Sequence, residues 1–268
     1  MSREQLANDI WRACDIMRRD NNCGGVMEYV EHLAWLLFLK FLDEQETIFE
    51  TEAALSQRQY TRIISSPYRW SEWVSEALVT RHGENGRRTA PEWDGEQLMR
   101  FIHGALLPHL ASLSGSPERE VVASIFNERT VIVCASPYNL KDILEIVDGI
   151  DFTNPDDIHT VSHIYEDLLR KLGQANRLAG EFYTPRPVIR FIVQVIDPQI
   201  GETVYDPACG TCGFPAEAYE HMRHQEQTHK DYETLQRSTF FGHEKKPVPA
   251  LLGLMNMVLY RARDEMKL

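Results

Sequence analysis

Thr203-Val204-Tyr205-Asp206-Pro207-Ala208-Cys209-Gly210-Thr211-Cys212-Gly213-Phe214 is the stretch on which the reading of the fold turns. A short apolar run ends in an acid, and small residues follow where a strand must turn into a helix. Glycines there let the backbone approach a ligand closely, and an acid at a strand end can take a cation. A helix is predicted next, around Ala216 to Met222, then a polar linker over 223–237. A second strand follows at Thr239-Phe240-Phe241-Gly242, and a Leu- and Met-rich helix at Leu251 to Tyr260. Strand–helix–strand–helix order predicts a parallel, doubly wound sheet. Two strands are too little sheet to bury both faces.

Asp206 is placed at the strand end, and Gly210, Thr211 and Gly213 can bring backbone amides to a ligand. Cys209-Gly-Thr-Cys212 is also a C-x-x-C pair. As a redox pair it needs a helix N-terminus, which the turn provides. As half a zinc site it needs two more ligands; there is no second C-x-x-C, and His221, His224 and His229 lie on polar sequence, so no metal is expected. Glu244 follows the second strand, where an acid commonly bonds ribose hydroxyls. Its distance from the glycine turn exceeds the roughly 20 residues of a simple dinucleotide fold, and the linker absorbs the excess. Lys245 and Lys246 make an ion pair the alternative.

Ahead of the turn, Glu181-Phe182-Tyr183-Thr184-Pro185-Arg186 opens a helix through Phe191, Ile192 and Val195, with Thr184 as N-cap and Pro185 as first-turn proline. Such a cap occurs at any helix start. Here Phe182 and Tyr183 add an aromatic surface, and the freed amides with the threonine hydroxyl suit a carboxylate.

Residues 1–154 read as helical. Leu6, Ile10, Ala13 and Met17 recur at helical spacing, as do Val26, Val30, Leu33, Leu37 and Phe41. The second of these helices is apolar nearly all round, so the acidic, aromatic region Trp35 to Glu46 reads as buried helix rather than a partner surface. Arg81 to Arg88 reads as a loop. Helical pattern resumes from Leu98 to Leu106, restarts at Ser116-Pro117-Glu118, and appears again over Leu140 to Val147, closed by Gly149. Asp151 to Asp157 is a polar connector. A helix over Val161 to Leu172 follows, already in the second domain, 155–268.

The chain has 268 residues, 43% of them hydrophobic, and a net charge of −12. Its longest apolar stretch, Leu33 to Leu42, is interrupted by Lys40 and falls well short of the roughly 20 residues that span a bilayer. No export signal precedes it, and five cysteines without framework spacing suit reduced thiols, so a cytoplasmic protein is expected. Lys and Arg supply most sequence-independent DNA affinity. An acidic chain is therefore a poor stand-alone DNA binder and would draw basic surface from elsewhere.

The two segments Gly180 to Pro185 and Asp206 to Phe214 resemble motifs of the DNA adenine methyltransferases, most closely the modification (M) subunit of type I restriction–modification systems. Ile10-Trp11 and the run Leu36 to Leu42 are more loosely similar to the helical N-terminal domain of those subunits. The resemblance implies an α/β protein. A helical N-terminal domain (1–154) would precede the first half of a Rossmann-like, doubly wound methyltransferase domain (155–268). It implies methyl transfer to adenine N6 with S-adenosyl-L-methionine as cofactor. The residues carried over to the cofactor are Glu181, Phe182, Tyr183, Thr184, Pro185, Arg186, Asp206, Gly210, Thr211, Cys212 and Glu244. Cys212 departs from the motif, where glycine is commoner; it fits at negative φ and is strained at positive φ. Implied partners are a specificity (S) subunit, a second M subunit and a restriction (R) subunit, with DNA met through the assembled complex and no membrane. The family's base-holding Asn-Pro-Pro-Phe does not occur in these 268 residues. Catalytic residues are therefore expected downstream of Leu268, and the chain alone is expected to be inactive. A truncated, non-catalytic assembly module and a methyltransferase acting on cytosine N4 or on protein remain the alternatives.

Overall fold

Leu6, Ile10, Ala13 and Met17 line one stripe of helix α1 (Arg3–Arg19), and all four are buried in the computed structural model of the chain. The structure describes residues 3–20, 26–78, 93–126, 134–152, 184–246 and, within 249–257, all but 252 and 255. The chain divides into two compact units, Met1–Asp157 and Ile158–Leu268.

The first unit is built on α2 (Val26–Leu55), a 30-residue helix. Leu33 to Leu39, Phe41 and Leu42 are buried on all its sides, as an all-round apolar pattern requires of a core helix. It packs against α1, α3 (Trp70–Leu78) and α7 (Pro137–Asp148). The helix runs well past Phe41 because its next turns hold the following loop. Asp43 pairs with Arg62 at 2.9 Å and accepts the Ser71 amide, and Gln45 donates to the Phe152 carbonyl at 2.8 Å. Glu46 accepts the amides of Ile63 and Ile64 and the Tyr60 hydroxyl. Trp35 to Glu46 is thus buried helix.

Past α1, Asp20 is buried and accepts the amides of Ala135 and Ser136, the Asn139 side chain and the Cys134 thiol. Burial opposes its charge, but those donors together outweigh it and hold the carboxyl well below the usual carboxylate range. Helix α4 (Gly95–Phe101) runs through a π-helical turn, Ile102–Leu106, into α5 (Leu107–Ala111). The widening lies just ahead of Pro108, which cannot donate to the Gly104 carbonyl and whose ring crowds it. Ser116 caps α6 (Pro117–Ile125), and Gly149 closes α7, both as expected. Helix α3 carries too short a pattern to be read from sequence. The loop expected at Arg81 to Arg88 and the helix expected at Val161 to Leu172 lie outside the described residues. Among the described residues, all regular structure of this unit is helical.

In the second unit, α8 (Arg186–Ile196) precedes β1 (Val204–Asp206), α9 (Gly213–Met222), α10 (His229–Arg237) and β2 (Phe240–Gly242). The described residues of 249–257 are helical. The strands pair in parallel, with Val204, Tyr205 and Asp206 opposite Phe240, Phe241 and Gly242. Strand alternation sends Val204 and Phe240 into the core, against Ala216, Tyr219 and Leu235 and against Ile189, Val193 and Ala218. The next pair, Tyr205 and Phe241, is 62% and 50% exposed, so two strands do leave sheet surface uncovered.

The structure departs from two local expectations. Helix α8 starts at Arg186, with Pro185 at the cap position and Pro187 in the first turn; no side chain caps it, so Thr184 lies one residue too early. The polar linker over 223–237 is mostly helix: a 3₁₀ turn (Arg223–Gln225) and then α10, started by a capping box between Thr228 and Asp231. Only Leu235 of α10 is buried, too little apolar pattern to reveal it.

Candidate functional site at the strand ends

Parallel pairing sets Asp206 opposite Gly242, so the chain leaves β1 and β2 on the same edge. The pairing continues beyond the strands: the His243 amide donates to the Asp206 carbonyl at 3.0 Å, and the Cys209 amide donates to the His243 carbonyl at 3.0 Å. These bonds bring Glu244 to the glycine turn. Its Oε2 accepts the Gly210 amide at 3.0 Å and its Oε1 the Lys246 amide at 2.8 Å. Each oxygen keeps a further lone pair, so the carboxylate can still accept from hydroxyls of a ligand. Asp206 is half-buried; its Oδ1 accepts the Ala208 amide at 3.1 Å, and Oδ2 has no partner among the described residues. Gly210 has φ +54°, a conformation that favours glycine, and this aims its amide at Glu244.

The other glycines serve close packing. A Cβ on Gly213 would stand 2.9 Å from Ile189 Cδ1, on Gly242 2.9 Å from Cys209 Sγ, and on Gly253 2.7 Å from Cys212 Sγ and 3.0 Å from the Gly210 carbonyl oxygen. Gly213 thus lets α9 lie against α8. Thr211 is buried, and its carbonyl accepts the side-chain amide of Asn256 at 2.7 Å. The contacts of Asn256, Gly242 and Gly253 with the turn are long-range and have no local signature in the sequence beyond, for the first, a lone asparagine within a Leu- and Met-rich helix.

Cys212 stands at φ 57°, ψ 38° ahead of α9, the strained case for a residue other than glycine. The neighbouring Cys212 side chain lowers the Cys209 thiol from its ordinary value, against burial and the carboxylates of Asp206 and Glu244. The Cys209 side chain, with burial, pushes the Cys212 thiol up. Arg186 reaches the turn as well, its Nη1 donating to the Gly213 carbonyl at 3.4 Å. One helical turn on, Arg190 grips Glu217 of α9 through two bonds of 3.1 and 3.2 Å. Thr184 and Pro185 are exposed at the start of α8, while Glu181, Phe182 and Tyr183 lie outside the described residues.

The structure therefore gathers Arg186, Asp206, Gly210, Thr211, Cys212 and Glu244 about one turn. Two carboxylates with accepting capacity to spare, beside close-packed backbone, fit a ligand carrying a cationic centre and hydroxyls. Among the described residues no group of His, Cys, Asp and Glu could hold a metal ion, and no helix is long and apolar enough to cross a membrane.

Residues 6–147 match the family described as HsdM N-terminal domain, and residues 156–267 match N-6 DNA Methylase. The chain is 36% identical to the type I restriction enzyme EcoEI methylase subunit of Escherichia coli, a match that covers 92% of this chain and 47% of that protein. A chain solved in work on complex assembly and conformational transition of the type I R-M system is 58% identical. It has a TM-score of 0.72 and is matched over 97% of this chain and 49% of its own length. A structure from Vibrio vulnificus YJ016, described as a type I restriction enzyme modification subunit, is 36% identical with a TM-score of 0.78, over 97% of this chain and 54% of that one. The chain thus spans about half the length of these relatives.

Proposed function

The chain belongs to the family of type I restriction–modification M subunits, and from that membership we propose that it serves N6-adenine methylation of DNA by binding S-adenosylmethionine at the turn between β1 and α9. The observation that carries this reading is one bonded unit at the ends of two parallel strands: Asp206, the left-handed Gly210 and Glu244. In doubly wound sheets, ligands sit at such strand ends. Asp206 would face the cationic amino acid end of the cofactor, and Glu244 would accept the ribose hydroxyls. The helix start at Arg186 would border the site, and the resemblance assigns Glu181, Phe182 and Tyr183 to the cofactor as well. When bound, the cofactor would supply an activated methyl group, and the residues at the turn would hold and orient it.

The two strands would be the opening of a Rossmann-like sheet, with residues 1–154 as the helical N-terminal domain of the M subunit and 155–268 as part of the S-adenosylmethionine-binding methyltransferase domain. A specificity subunit, a second M subunit and a restriction subunit would complete the complex and bring the DNA. A base must leave the stack to be methylated, and the 268 residues hold no Asn-Pro-Pro-Phe to receive it. We therefore expect no labelled methyl in DNA from these residues alone with cofactor and specificity subunit. Robust N6-methyladenine would overturn that expectation.

Calorimetry with S-adenosylmethionine tests the site in the full-length protein. Asp206→Ala and Glu244→Ala should each weaken binding roughly 10- to 150-fold, the worth of about 1.5–3 kcal/mol for a charge-assisted hydrogen bond. Unchanged affinity in both variants would remove the assignment. Because Glu244 also holds Gly210, its variant is read beside a thermal melt.

A further inference from the structure

The cofactor reading uses the backbone around Cys209 and Cys212 but neither thiol. The Cys212 amide donates to the Cys209 carbonyl at 2.7 Å, closing a four-residue turn. Such a turn keeps its end Cα atoms within about 7 Å, which overlaps the roughly 4.4–6.8 Å that a disulfide spans. The two sulfur atoms lie 2.9 and 3.9 Å from the position a Cβ would take on Gly242, and both residues are partly exposed, whereas Cys14 and Cys134 are buried. Gly242 and Gly253 stand where the two sulfur atoms touch the neighbouring strand and helix, leaving the pair room on those sides. Helix α9 begins directly after Cys212, and its N-terminal amides favour a thiolate; the carboxylates of Asp206 and Glu244 oppose it.

We propose that Cys209 and Cys212 form a reversible thiol–disulfide couple, closed by exchange with a low-molecular-weight disulfide such as oxidised glutathione, and that the closed form binds S-adenosylmethionine less tightly. The second half rests on the cofactor reading above. The Cys209 thiolate attacks one sulfur of glutathione disulfide and expels one glutathione, which takes up the proton Cys209 has lost. Cys212, giving its proton to solvent, then attacks the Cys209 sulfur and expels the second glutathione, which is protonated in turn. Two protein thiols are oxidised and one glutathione disulfide is reduced. Gly210 and Thr211 lie inside the ring so formed. Closure draws residues 209 and 212 together and turns the Gly210 amide away from Glu244 and the Thr211 carbonyl away from Asn256.

The test uses full-length protein carrying Cys23→Ser, incubated with reduced and oxidised glutathione, alkylated, and mapped by peptide mass. The expected product is a disulfide between residues 209 and 212, with Cys14 and Cys134 alkylated only after denaturation. Adding Cys212→Ser should trap glutathione on Cys209, and adding Cys209→Ser should leave residue 212 without a glutathione adduct. Calorimetry should show roughly tenfold weaker cofactor binding after oxidation, equal to the loss of about one hydrogen bond, reversed by dithiothreitol and absent in the Cys209→Ser variant. Failure to form the 209–212 link overturns the couple while leaving the cofactor site intact. A link with unchanged affinity overturns the effect on binding. Absence of cofactor binding in the reduced protein overturns the cofactor reading and the effect that rests on it, while the mass map still decides the couple.

Discussion

Cys212 holds a left-handed backbone that costs a residue with a Cβ about 1–2 kcal/mol. Replacing it by glycine relieves that cost and returns part as unfolded-chain entropy, so Cys212→Gly should raise stability by about 0.5–1 kcal/mol in urea denaturation. Cys212→Val should lower it, since a β-branched residue tolerates the conformation least; the opposite order would mean that the turn relaxes freely. The departure at Cys212 was legible in sequence. The sign of its φ was not, because it depends on how Gly253 and Asn256 pack against the turn. Asp20 offers a second test. Its carboxyl is held low by four donors, so its folded value lies below the unfolded value of about 3.9. Its contribution to stability is then complete above that pH and is lost as pH falls toward the folded value. Denaturation from pH 7 downward should show wild type losing its advantage over Asp20→Asn below about pH 4; a constant difference would disprove the pairing.

Among the elements, sequence periodicity exposed those that bury a full stripe. Helix α1 was readable from four residues, and α7 from its apolar spacing and closing glycine. Helix α10 was missed because it buries one leucine, although Thr228 and Asp231 carried a start signal independent of burial. Thr228→Ala should therefore cost about 1 kcal/mol of stability, the usual worth of a cap, with amide exchange in α10 quickening first. No quickening there would mean the helix is held by packing alone. The contact between the last helix and the glycine turn was hidden for a different reason, being a long-range approach set by the absence of a side chain. Gly253→Ala forces a Cβ into the Gly210 carbonyl and the Cys212 sulfur, one of them backbone. It should destabilise the protein by about 1–3 kcal/mol and weaken S-adenosylmethionine binding at the proposed site without altering any residue proposed to touch the cofactor. Undiminished stability in a thermal melt would show that the helix can shift.

For the molecule as a whole, the candidate residues that meet at the turn were legible because their chemistry is local: an acid at a strand end, a glycine turn, a second acid after the next strand. What positions them was not, since Asn256 and Gly253 act across some 40 residues of chain, as Asn256 does on Thr211 with a separation of 45. Charge is a property of the whole chain and bears on how DNA is met. With 28 basic and 40 acidic residues, the net −12 leaves little to exchange for the counterions of a duplex. Fluorescence anisotropy with the 268-residue chain and a labelled duplex should therefore show weak binding at low salt and none at physiological ionic strength. Adding a specificity subunit should restore binding with a steep salt dependence, because the phosphate contacts then belong to the partner. Tight, salt-dependent binding by the chain alone would place a basic surface within these residues and transfer to them a DNA contact assigned here to the assembled complex.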